Sequence, residues 1–170
     1  KEKITTAGVL PVVLHRLGRA EQAVGFADFD PSPVVEPHTP GSRQTWFAGF
    51  AERGPHRLLV AEDAEGLAGY ACSTGFRHKA GYARTVETSI YLRPGAEGRG
   101  LGRQLYGALF AELEGEAVHL AIAGIALPNP ASIALHERLG FRSVGVMREV
   151  GFKFGRYWDV EFFEKALPGA

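Results

Sequence analysis

The chain has 170 residues, a mass of 18.4 kDa and 45% hydrophobic residues, enough for one substantial core, so residues 1–170 are read as a single domain. Nineteen basic and nineteen acidic side chains cancel, and no basic run is long enough to release counterions from a phosphate backbone, so nucleic acid is not an expected partner. The single cysteine, Cys72, excludes an internal disulfide; with no long apolar core near the N-terminus and no run of about eighteen apolar residues, a reducing, cytoplasmic setting without membrane association is expected.

In chain order, Val9 to Leu17 is β-branched and apolar enough for a first strand, with Pro11 placing it near an edge. Arg19 to Phe29 carries Ala20, Ala23, Val24 and Ala27 at helical spacing. The next stretch, DPSPVVEPHTPGS, holds four prolines and is a long loop, read equally as a lid over an acceptor site or as a connector. Ser42 is expected to cap a helix running to about Arg53, with Trp46, Phe47 and Phe50 as its buried stripe. Arg57 to Glu62 and Leu67 to Phe76 flank Asp63-Ala64-Glu65-Gly66 as a β-hairpin. Cys72 falls in the second of these strands and is expected to behave as a small core hydrophobe.

A basic and aromatic patch, Phe76 to Tyr82, follows at the sheet end. Arg77 and Lys79, two apart in extended chain, would point the same way and suit an anionic group. Thr85 to Leu92 alternates as a strand and leads through a turn-rich bend into a helix that ends near Glu114-Gly115. Ala117 to Ile125 is almost continuously apolar, as a strand covered on both faces would be. Strand, helix and strand in that order imply a right-handed crossover and a locally parallel pair. Asn129 and Pro130 start another helix as N-cap and first residue, and Gly140 closes it. Phe141 to Phe154 and Tyr157 to Lys165 read as two antiparallel strands around Gly155-Arg156. The inventory is α/β with a mixed sheet.

The chemistry concentrates at Glu97-Gly98-Arg99-Gly100-Leu101-Gly102-Arg103. Glycines at every second position remove Cβ atoms that would block a ligand, successive N–H groups can converge on one anion, and the helix dipole favours negative charge there. A pyrophosphate suits such a cradle. The spacing is neither that of a Walker A loop nor that of a dinucleotide fingerprint.

This cradle, the Asn129-started helix with its His136-Glu137-Arg138-Leu139-Gly140-Phe141 end, and the strand between them resemble the GNAT superfamily of acetyl-CoA-dependent N-acetyltransferases. VETSIYLRPGAEGRGLGRQLYGALFAELE, IALPNPASIALHERLGF and GFKFGRYWDVEFFEKAL resemble its phosphinothricin and methionine sulfoximine acetyltransferase branch over Tyr82 to Leu167. The resemblance implies a mixed, mostly antiparallel twisted sheet flanked by about four helices, acetyl-CoA as cosubstrate, no metal, a small-molecule amine acceptor and a homodimer. The aromatic tail, Phe152, Phe154, Tyr157, Trp158, Phe162 and Phe163, also offers more apolar surface than two terminal strands need for one buried face.

By the same resemblance, Gly98, Arg99, Gly100, Leu101, Gly102 and Arg103 hold the pyrophosphate through backbone N–H groups. Ile90, Tyr91 and Leu92 pair their backbone with the pantetheine arm, and Asn129 contacts the cofactor near its thiol. Glu97 departs from the superfamily's usual glutamine or arginine and is expected to point outward. Acetyl transfer needs a neutral amine and a proton or donor for the departing thiolate. Glu87, on one strand face with Thr85, Ser89 and Tyr91, is the expected base, through water. His136, seven residues after Asn129 and so on the same helix side, is the expected acid or an aid to Glu87. Arg77, Lys79 and Tyr82 are expected to bind the acceptor, whose identity is left open by Val35-Glu36, where the branch tends to carry an aromatic residue and arginine. Acetylation of a peptide N-terminus or polyamine, or cofactor binding without chemistry, remain the alternatives.

Overall fold

The computed structural model describes residues 13–16 and 45–168. The expected helix from Arg19 to Phe29, the proline-rich loop with Val35-Glu36, and the Ser42 cap lie outside the described residues. Among the described residues seven strands form one sheet in the order β1-β2-β3-β4-β5-β7-β6. They are β1 (Val13–Arg16), β2 (Leu58–Asp63), β3 (Gly66–Gly75), β4 (Thr85–Leu92), β5 (Leu120–Ala126), β6 (Arg142–Lys153) and β7 (Arg156–Ala166). Every neighbouring pair is antiparallel except β4–β5. The helices are α1 (Leu101–Leu113) and α2 (Pro130–Arg138), with a short 3₁₀ turn at Ala80–Tyr82 and helical residues at 45–47. Among the described residues this is fewer than the expected four, and no helix is long and apolar enough to cross a membrane.

The hairpin between β2 and β3 is tighter than its sequence suggests. Asp63 pairs with Gly66, leaving a two-residue loop in which Asp63 Oδ1 accepts the Glu65 N–H at 3.0 Å and Gly66 takes a φ of 101°. At the other end of the chain Phe154 and Gly155 both have positive φ, the geometry that closes a two-residue loop between β6 and β7. The helix expected from Ser42 to Arg53 stops at residue 47. Beyond it Gly49 N–H bonds the Trp46 carbonyl and Phe50 N–H that of Phe47, the tighter i→i+3 pattern, which a glycine favours over continued helix. Trp46, Phe47 and Phe50 are half-buried.

The core lies between the sheet and α1. Leu59, Ala61, Ala68, Val86, Ala121 and Phe163 from the strands meet Leu101, Leu105, Tyr106, Leu109 and Leu113 of the helix, all buried. Cys72 is buried in the β3 strand. α2 has the boundaries its sequence announces. Asn129 Oδ1 accepts the Ser132 N–H at 3.1 Å, Pro130 follows, and Gly140 sits past the end at φ 83°. Lys165 Nζ adds a hydrogen bond to the Leu139 carbonyl at 2.7 Å, a cation at the negative end of the helix.

Candidate active site

β4 is the ruler of the site. Its pairing with β5 is confined to Thr85↔Leu120, Val86↔Ala121 and Glu87↔Ile122, while its pairing with β3 continues to Leu92. Past Glu87 the two parallel strands are no longer registered, and a wedge opens between residues 88–92 of β4 and residues 123–126 of β5. Backbone groups on that side of Ile90, Tyr91 and Leu92 are left for another extended chain to pair with. Thr88 Oγ1 closes the vertex with a hydrogen bond to the Ile122 carbonyl at 3.3 Å.

At the wide end of the wedge the cradle forms the entry to α1. Gly98 and Gly100 take φ of 72° and 77°, and a Cβ on either would meet no protein atom within 4 Å, so the positive φ is by itself a reason for glycine there. Gly102 differs: a Cβ on it would come 2.9 Å from Leu135 Cδ2, so its absence lets α1 pack on α2. Gly100 is the N-cap of α1 and offers no side-chain cap, which leaves the N–H groups of Leu101, Gly102 and Arg103 to an incoming acceptor. Glu97 turns back into its own loop, where Oε2 accepts the Gly95 N–H at 2.6 Å. The residues present therefore suit a diphosphate at the helix end joined to an extended arm along β4.

Glu87 stands at the vertex, about 17 Å of strand from Leu92. Alternation puts Val86 and Thr88 into the α1 face of the sheet and Glu87 onto the other. It is half-buried, burial raises its pKa above 4.5, and among the described residues its carboxylate has no hydrogen-bond or ion-pair partner. The rings of Phe50, Trp46, Tyr70 and Tyr91 pack successively along this same face.

His136 does not join Glu87. It is 2% exposed, on the α1 side, among Tyr106, Phe141 and Phe163. Its Nδ1 is 2.8 Å from the Ser132 carbonyl and its Nε2 is 3.0 Å from the Tyr106 hydroxyl. A carbonyl only accepts, so Nδ1 carries the proton and Nε2 of the neutral ring accepts from Tyr106. Burial lowers the His136 pKa below 6.5, outweighing the Ser132 carbonyl. Tyr106, fully buried and raised well above its ordinary pKa by burial, also reaches the Thr88 hydroxyl. His136, Tyr106 and Thr88 thus gather on the buried side of the vertex, with the Tyr106 proton given to His136 and the Thr88 proton to the Ile122 carbonyl. Sequence spacing gave no sign of Tyr106, which reads as one more core aromatic beside Leu105 and Leu109.

Asn129 is exposed at the start of α2 with its side chain occupied by the cap, so it and His136 do not share a face. The Arg77 patch lies beyond the N-terminal end of β4. β3 ends at Gly75, so Arg77 and Lys79 lie outside the strand, although Lys79 itself keeps extended dihedrals (φ −84°, ψ 139°). Arg77 instead packs over the Phe76 and Tyr82 rings, 5.0 and 5.9 Å from their centroids, with Lys79 preceding the 3₁₀ turn and Tyr82 exposed. Among the described residues no cluster of His, Cys, Asp and Glu is placed to hold a metal ion.

A split parallel pair, a glycine turn at a helix N-terminus and a carboxylate at the vertex define an acyl-transfer fold, and the pattern of the acetyltransferase (GNAT) family matches residues 21–141. The chain belongs to that family and is an N-acetyltransferase that uses acetyl-CoA. It is 54% identical over 135 residues to a phosphinothricin N-acetyltransferase of Streptomyces coelicolor, covering 78% of this chain and 79% of the relative. It is 44% identical over 127 residues to an L-methionine sulfoximine/L-methionine sulfone acetyltransferase of Pseudomonas paraeruginosa, covering 74% and 73%. The crystal structure of a phosphinothricin acetyltransferase from Sinorhizobium meliloti in complex with acetyl-CoA superposes with a TM-score of 0.80 at 30% identity, covering 93% of this chain and 89% of that one.

Proposed function

We propose that the chain, as one cytoplasmic domain, transfers acetyl from acetyl-CoA to the amino group of a small amino acid or analogue of the phosphinothricin, methionine sulfoximine or methionine sulfone type. The observation that carries this is the vertex carboxylate, Glu87, set between the cradle at one end of β4 and the cationic patch at the other. Acetyl-CoA supplies an activated thioester for direct attack by the amine in a ternary complex. The N–H groups from Gly98 to Arg103 hold its diphosphate, and Ile90, Tyr91 and Leu92 pair with its arm. Asn129, its Oδ1 committed to the helix cap, keeps its Nδ2 donors and its backbone for the thiol end.

Glu87, with a raised pKa and no hydrogen-bond or ion-pair partner among the described residues, takes the proton of the amine, through water. Arg77 and Lys79 bind the acceptor's acidic oxygens, with Tyr82 as a wall. His136 is a positioning residue: it fixes the Tyr106 hydroxyl, which with Thr88 meets the vertex where the thiolate departs.

Pairing in solution follows from β6, the sheet edge, where Val144, Val146, Met147, Val150 and Phe152 are exposed together. A homodimer covers this strip.

Thiol release across methionine sulfoximine, methionine sulfone, phosphinothricin, short peptides and polyamines tests the reading. Turnover is expected with the first three, with a raised KM for the acceptor in Arg77→Ala. Preference for peptides or polyamines would move the assignment to that class, and no turnover on any amine would leave a cofactor-binding module.

A further inference from the structure

Glu97 and Asp63, two acids in contact with the cradle segment, are used differently. Glu97 is consumed inside its own turn. Asp63, at the tip of the β2–β3 hairpin, reaches across to the cradle although it lies thirty-six residues before Arg99. Its side chain is 8% exposed. Arg93 Nη2 donates to Oδ1 and Oδ2 at 3.1 and 3.2 Å, and Arg99 Nη1 donates to Oδ2 at 3.1 Å. Arg93 is further tied to the Glu65 carboxylate at 2.9 Å and to its carbonyl at 3.3 Å. Burial opposes the charge on Asp63, yet the Glu65 N–H and the two guanidiniums outweigh it and hold its pKa below the ordinary value.

One shielded carboxylate therefore sets two arginines side by side, one directly after β4 and one between the two positive-φ glycines. Among the described residues Arg99 has no partner besides Asp63, and its side chain is 33% exposed, so its other donors face outward. A free arginine loses rotamer entropy on gripping a phosphate, and one already held by a carboxylate loses less.

We propose that Asp63 is a positioning residue for cofactor binding, holding Arg99, with Arg93 beside it, so that the remaining guanidinium donors meet a phosphate of acetyl-CoA at the cradle. The proposal rests on the acetyl-CoA reading above and extends it to a residue on a different hairpin. A contrary effect is chemically available, because an acid near a phosphate repels it and competes for the same arginine. The two act with opposite sign, and Asp63 is outnumbered by its own guanidiniums.

Calorimetric binding of acetyl-CoA to the full chain without acceptor decides between them. Asp63→Asn is expected to weaken binding about three- to tenfold, the scale of one charge-assisted hydrogen bond, with kcat at saturating acetyl-CoA within about twofold of wild type. In an Arg99→Ala background the same substitution is expected to change binding by less than about twofold, since coupled residues are not additive. Binding equal to or tighter than wild type in Asp63→Asn, or the same weakening with and without Arg99, overturns the proposal. Should Asp63→Asn lower the melting temperature enough to obscure binding, Arg99→Lys serves: it keeps the charge but loses the fork, so weaker binding is expected and unchanged binding overturns the proposal. A wild-type chain that binds no acetyl-CoA overturns the cofactor reading itself, whereas a binding wild type with unaffected variants overturns only the role of Asp63.

Discussion

Replacing Glu87 by glutamine separates catalysis from stability. The side chain sits mid-strand, paired across to Thr74 on β3 and Ile122 on β5, and its carboxylate has no partner among the described residues, so an isosteric amide leaves no cation or donor orphaned. Burial alone raises its pKa. With the folded value above the unfolded 4.5, ionising Glu87 costs stability as pH rises through 4.5 and beyond. Glutamine removes it, so the melting temperature at pH 7 should hold or rise. Activity should move the other way, by about 10²- to 10⁴-fold in kcat, the range of a positioned general base. The assay is thiol release at saturating acetyl-CoA with methionine sulfoximine, from pH 5 to 9, beside a thermal melt. In the wild type the acid limb of kcat/KM should lie above 4.5. A variant with wild-type kcat, or one whose activity falls only together with its melting temperature, would refute the assignment.

The cradle makes a conformational prediction: Gly100→Ala, forced to a φ of 77°, should cost about 1–2 kcal/mol in a denaturant titration and raise the KM for acetyl-CoA more than it lowers kcat. Tyr106→Phe leaves His136 Nε2 without its donor inside the core and should cost about 1–3 kcal/mol, again read by denaturant. His136 also sets a pH limit. Its folded pKa lies below 6.5, so the unfolded chain takes a proton first as pH falls, and the stability that His136 contributes above about 6.5 is lost below it; melting temperatures from pH 7.5 to 5 in wild type and His136→Gln should diverge on the acid side. On the β6 edge Val146→Glu places a charge in the exposed apolar strip and should convert a dimer to a monomer by sedimentation equilibrium at micromolar concentration.

Local chemistry was legible where a residue's role is discharged within a few positions of it. Asn129, Pro130 and Gly140 bound α2 because capping is a contact with the next turn, and the hairpin at Asp63 to Gly66 is equally local. The cradle was legible for the same reason, although Gly102 proved to serve helix packing. The face of His136 was not. Counting seven residues from Asn129 assumes helical dihedrals throughout, but Asn129 is the cap, at φ −148° and ψ 71°, so the count starts from a residue outside the helix. The Tyr106–His136 bond spans thirty residues and the Asp63–Arg99 pair thirty-six, separations that only the tertiary fold closes. Arg77 and Lys79 were placed by the alternation of a strand that ends at Gly75, two residues before Arg77.

The central claim is that the cofactor runs along β4 from the cradle to the vertex at Glu87 and Ile122. A crystal structure of the chain with CoA and methionine sulfoximine measures this directly. Diphosphate oxygens at about 2.7–3.2 Å from the N–H groups between Gly98 and Arg103, with the thiol at the vertex and the acceptor amine on the Glu87 face, is the predicted result. A cofactor bound outside the β4–β5 wedge, or an amine held away from Glu87, would contradict it.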